Sequence, residues 1–127
     1  MAVTGQFRDL FVAVDTVYQA QQSRMRQLAE EAASLRRELD ALDRQLRDSL
    51  DQSCHEATPW RAVGADQTWR TWLMRRRGAL NIRLARALAD LDDARDALKQ
   101  GFARQQACRE ILENERRKQR RRDNRIR

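Results

Sequence analysis

From Phe7 onward, apolar residues recur at alternating steps of four and three. The series runs Phe7, Phe11, Val14, Tyr18, Gln21, Met25, Leu28, Ala32, Leu35, Leu39, Leu42, Leu46 and Ser49. Eleven of these thirteen positions are apolar, with only Gln21 and Ser49 breaking the pattern. A seam sustained this long predicts an amphipathic helix of the kind that winds into a left-handed coiled coil. A second series reads Leu73, Arg77, Leu80, Leu84, Ala87, Leu91, Ala94, Leu98, Gly101, Gln105, Cys108 and Leu112. The segment between them, "EATPWRAVGADQ", holds the only proline and one of the four glycines. Pro59 bars helix through its own position, and Gly64 followed by Asp66 reads as a turn and then an N-cap. The pattern therefore predicts helix one over about 5–56, a turn over about 57–66 and helix two over about 67–118.

Folded back as an antiparallel pair, the two series match position for position. Phe11 faces Leu112, Val14 faces Cys108, Met25 faces Leu98, Leu39 faces Leu84 and Leu42 faces Leu80. Large meets small at Leu28 with Ala94, Ala32 with Leu91 and Leu35 with Ala87, as close packing of two helices requires. The predicted fold class is all-α: two long helices forming an antiparallel coiled-coil hairpin, one domain over residues 1–127. Arms of ~50 residues give a rod of roughly 75 Å at ~1.5 Å rise per residue. Arg36–Asp40, Asp40–Arg44, Asp43–Arg47, Arg44–Asp48 and Arg47–Asp51 are opposite charges four apart, the mark of a solvated helix face. Two helices bury only a narrow stripe, so a lone hairpin of this kind suggests a component of a larger assembly.

Charge changes the picture at one end only. The closing segment "RRKQRRRDNRIR", residues 116–127, has eight basic residues and one acidic, and so carries the whole net charge of +7. The rest of the chain sums to zero. Three readings stay open for this basic tail: a solvated helix end, a nucleic-acid element, or a cationic plug for an acidic protein ring or cleft. The tail lacks interleaved aromatics, and basic-zipper proteins carry their basic region before the coil, which weighs against nucleic acid. Phe7, Arg8, Leu10 and Phe11 are expected at the same end of the rod.

Candidate chemistry is sparse. His55, the one histidine, adjoins Cys54, but neighbouring helical residues point about 100° apart and form no dyad. The sequence has no phosphate-binding glycine loop and no metal-ligand spacing, so neither an enzyme nor a cofactor is expected. In the predicted register the two cysteines stand roughly 58 Å apart at ~1.5 Å per residue. They cannot pair, which fits a reducing compartment. No stretch approaches the ~18 apolar residues of a membrane span, and the N-terminus does not read as a signal peptide. Trp60, Trp69 and Trp72 cluster beside the expected turn with Leu73, either capping the hairpin or docking a partner. Gln21, Gly101 and Gln105 converge on one level of the seam beside Tyr18 and Phe102, as a weak layer or a flexible joint.

On these features the chain resembles the FliJ/YscO family, small coiled-coil components of the bacterial flagellar export apparatus and of injectisomes. The resemblance spans the chain and rests most on "LARALADLDDARDALKQGFARQQACREILENERRKQRRR". There an Ala/Leu heptad passes into a Leu-Glu step and an Arg/Lys-rich end, as in the family's second helix. It implies a cytoplasmic, non-enzymatic stalk at the inner-membrane face of a type III export apparatus, touching the membrane only through that apparatus. The end bearing both termini would enter a hexameric export ATPase, and the rod would contact the cytoplasmic domain of the export gate. Export chaperones would be further partners. By position on the rod, Phe7, Phe11, Arg116, Arg117, Lys118, Arg120, Arg121 and Arg122 fall at the ATPase, and Trp69, Trp72 and Leu73 at the gate. A nucleic-acid-binding coiled coil and a homo-oligomeric scaffold are the alternatives.

Overall fold

The computed structural model describes residues 2–55 and 60–126, with side chains at 3–51, 64 and 67–126. All of it is helical: α1 spans Ala2–His55 and α2 spans Trp60–Ile126. No helix among the described residues is long and apolar enough to cross a membrane. The side chains of Cys54, His55 and Trp60, and Pro59 altogether, lie outside the described residues.

Both boundaries of α2 differ from those expected. The helix begins at Trp60, directly after the proline, so Gly64 and Asp66 are helical residues and not a turn and its cap. The Thr68 hydroxyl donates to the Gly64 carbonyl at 2.9 Å, the i to i−4 bond open to a threonine inside a helix. One helical glycine costs only about 1 kcal/mol, so a helix already under way absorbs Gly64. At the other end α2 continues through the tail to Ile126. The tail has no Gly or Pro and is rich in Arg, Lys and Gln, which are good helix formers, and cations suit a helix C-terminus. Lys118 lies 3.5 Å from Glu115, and Gln119 donates to Asp123 at 3.4 Å.

The helices form two compact units, one made of Met1–Gln27 with Leu91–Arg127 and one of Leu28–Asp90. The second has a continuous apolar core. Ala32, Leu35, Leu39 and Leu42 from α1 meet Leu73, Leu80 and Ala87 from α2, flanked by Leu46, Leu84 and Leu88. Leu73 and Leu80 are wholly enclosed. Arg77 stands in the seam itself, where its Nε reaches Asp43 at 2.8 Å, and Arg76 approaches Glu38 at 3.9 Å. Asp43 thus serves the neighbouring helix, and none of the five i, i+4 pairs expected along α1 closes. Exposed pairs gain too little to hold two long side chains in place.

In the first unit the contacts step forward on α1 as they step back on α2. Phe11 meets Arg109, Asp15 meets Gln105, Tyr18 meets Phe102, and Gln21 meets Gly101. In both units the contacts fit a two-helix hairpin. Leu91 and Leu112 are the fully buried large apolar residues of this unit, while Val3, Leu10, Val12, Val17, Phe102 and Ile111 stay exposed.

Val14 and Cys108 are bracketed by these contacts, so one substitution tests the pairing. In a C54S background, V14C should cross-link to the native Cys108 within one chain when a short bis-thiol reagent is added at low protein concentration. Cross-links found only between chains would show that the helices pair intermolecularly.

Candidate functional site

Three features of the described surface carry chemistry, and each lies inside one unit. The first is aromatic. Trp69 and Trp72 sit one turn apart on α2, and their rings stack with centroids 5.2 Å apart and planes 14° from parallel. They remain 46% and 52% exposed. Trp72 also borders a groove between the helices whose other apolar residues are Ala41, Leu42 and Leu80 and whose polar ones are Glu38, Gln45 and Arg76. Leu73, expected beside the tryptophans at a docking face, is instead fully enclosed in the core. The heptad already seats it in the seam, and a side chain with no exposed surface cannot touch a partner.

The second feature is the basic end. Arg116, Arg117, Lys118, Arg120, Arg121 and Arg122 are all exposed on the last turns of α2. From there α2 continues as helix through the tail to Ile126. Phe7 and Phe11 are half-buried in the same unit. The Arg109 guanidinium lies over the Phe11 ring, 5.7 Å from its centroid. Arg109 had no place among the expected site residues. Its position on the flank, one residue after a seam cysteine, offers no sequence signal.

The third is a polar layer within the first unit. Gln105 is buried and donates from Nε2 to Asp15 Oδ1, while Gln19 donates to Asp15 Oδ2 at 3.0 Å. Gln22 Nε2 donates to the Tyr18 hydroxyl at 3.2 Å, and the Tyr18 and Phe102 rings stand 6.0 Å apart. Gly101 is buried, and the Gln21 carboxamide oxygen occupies the space a Cβ there would need. That oxygen is buried with no hydrogen-bond partner. Of the expected convergence, Gln21 meets Gly101, while Gln105 pairs one turn along α2 with Asp15. Gln105 is satisfied and Gln21 is not.

Cys108 is a free, half-buried thiol. Among the described residues no group of three or more His, Cys, Asp or Glu is placed to hold a metal ion. No protein-family profile, curated protein or solved structure matches this chain.

Two predictions follow from this geometry. Half of each indole is already in water, so W69A/W72A should cost roughly 1 kcal/mol, mostly from lost stacking. A pair sealed in a cap would lose about 3–5 kcal/mol per buried ring. Chemical denaturation reads the difference, and red-shifted, readily quenched fluorescence of the isolated protein should accompany the small loss. In the polar layer, G101A alone forces Gln21 to swing away, which offsets the gain from removing a helical glycine. Combined with Q21A it should stabilise the protein by about 1 kcal/mol. A strictly additive double-mutant cycle would show that the two side chains do not compete for one space.

Proposed function

We propose that this chain is a non-enzymatic stalk protein of a type III export apparatus, as its resemblance to the FliJ/YscO family implies. In this reading the cationic end of α2 seats in the acidic opening of a hexameric export ATPase, and the Trp69–Trp72 pair docks on the cytoplasmic domain of the export gate. The protein would work in the cytoplasm, at the inner-membrane face of the apparatus, with export chaperones as additional partners. One observation carries the proposal: the basic residues are exposed on α2, which continues as helix through the tail to Ile126. A rigid cationic peg is suited to a ring of opposite charge. A flexible arm of the same composition would lose conformational entropy on entering one.

The sparse burial of the first unit supports the same reading. With Leu91 and Leu112 its fully buried large apolar residues and Val3, Leu10, Val17 and Ile111 in water, it has surface that a surrounding partner would cover. Leu73 drops out of the proposed gate contact because it is enclosed, leaving Trp69 and Trp72 to provide it.

Replacing Arg116, Arg117, Lys118, Arg120, Arg121 and Arg122 with glutamine keeps helix propensity and removes six charges. The variant should stay helical, lose co-purification with the cognate export ATPase, and lose any stimulation of ATP hydrolysis. Wild-type binding should weaken as salt is raised, since long-range attraction is screened within about 8–10 Å at ordinary ionic strength. Unchanged binding by the variant would overturn the proposal. Wild-type co-purification that disappears on nuclease treatment would replace it with the nucleic-acid reading.

A further inference from the structure

The first unit contains a cleft of about 380 Å³ between its helices, lined by Arg8 and Phe11 from α1 and by Arg109, Leu112, Glu113 and Arg116 from α2. Its apolar base is half-buried Phe11 beside buried Leu112. Three guanidiniums surround that base, and none of them is ion-paired to an acid among the described residues. Asp15 accepts from Gln19 and Gln105. Arg109 lies over the Phe11 ring. Glu113 is the one acid in the cleft, so the lining has an excess of positive charge.

We propose that this cleft binds an acidic peptide segment carrying one bulky apolar side chain, the side chain resting on Phe11 and Leu112 and flanking carboxylates meeting Arg8, Arg109 and Arg116. The inference goes beyond the export reading, because the cleft's chemistry selects this ligand whichever assembly supplies it. Three points make a peptide the best fit. Guanidiniums match carboxylates in a two-bond geometry, which an acidic segment offers repeatedly. The cations continue along one side of α2: a neighbouring cleft is lined by Glu113, Arg116, Arg117 and Arg120. From Arg109 to Arg120 that stripe is ~16 Å long at ~1.5 Å per residue, which suits about three turns of a helical partner. Nucleic acid fits less well, because Phe11 is the one aromatic residue lining the two clefts, whereas single strands are held on several stacking platforms.

The test uses the full chain and a fluorescein-labelled, glutamate-rich twelve-residue peptide with a single central leucine, followed by fluorescence anisotropy. Two control peptides replace the leucine with serine or the glutamates with glutamine. Both controls should bind about tenfold more weakly or worse, as should the R8Q/R109Q protein towards the original peptide. R95Q/R104Q removes the same charge from exposed positions of the same unit outside the cleft and should change affinity by no more than about threefold. Circular dichroism confirms that both variants remain helical. Equal weakening by the two variants, or no loss with the serine peptide, would reduce the effect to diffuse attraction and overturn the proposal. Tighter binding of single-stranded RNA or of anionic phospholipid vesicles, unaffected by R8Q/R109Q, would overturn it as well.

Discussion

A pair of helices can bury only one stripe from each partner, and every residue off that stripe must live in water or wait for a third surface. In this chain the stripe changes character along the helices. Over Leu28–Asp90 it is filled by leucine and alanine, and its central members reach complete enclosure. In the unit made of Met1–Gln27 and Leu91–Arg127 the same heptad positions hold tyrosine, two glutamines, a glycine and a cysteine. Ordering a residue's backbone costs about 1–2 kcal/mol, and a stripe that buries so little returns less of that cost. The apolar unit can therefore sustain its own structure, whereas the polar one gains most from a partner that covers its exposed valines, leucine and isoleucine.

Polar contacts decide how the helices are matched more than how tightly they hold. Arg77 and Asp43 are both partly in water, so their ion pair contributes little to stability. A register slip would still leave a charge in the seam without its partner. Gln105 and Asp15 act in the same way in the other unit, since a buried amide left unpaired costs more than a paired one returns.

The helices were legible in the sequence because a 4-3 repeat of leucines is a long-range signal that no single residue can disguise. The break between them was harder to read. Gly64 and Asp66 are strong local punctuation, but a helix already started at Trp60 absorbs a glycine at small cost, and Asp66 falls within it. The tail was legible in its charge and not in its structure, since the heptad series stops at Leu112 while helix propensity carries α2 on to Ile126. Among the candidate site residues, Trp69 and Trp72 are as exposed as two large rings off the stripe should be. Leu73 was drawn into their company by proximity in sequence, though its heptad position already assigned it to the core. The cleft around Phe11 could not be foreseen. It depends on side-chain placement that the heptad pattern does not fix.

The stacked tryptophans have one more consequence, an optical one. Two nearly parallel indoles 5.2 Å apart are close enough for their electronic transitions to couple. The folded protein should then carry an exciton band in the far ultraviolet, superimposed on the signal of its helical backbone. Helix content read from a single wavelength near that band will be biased, in a direction set by the handedness of the pair. The band is also a local gauge. A ligand that slides between the rings, or a partner that turns either one, would extinguish it while the helix beneath stays intact.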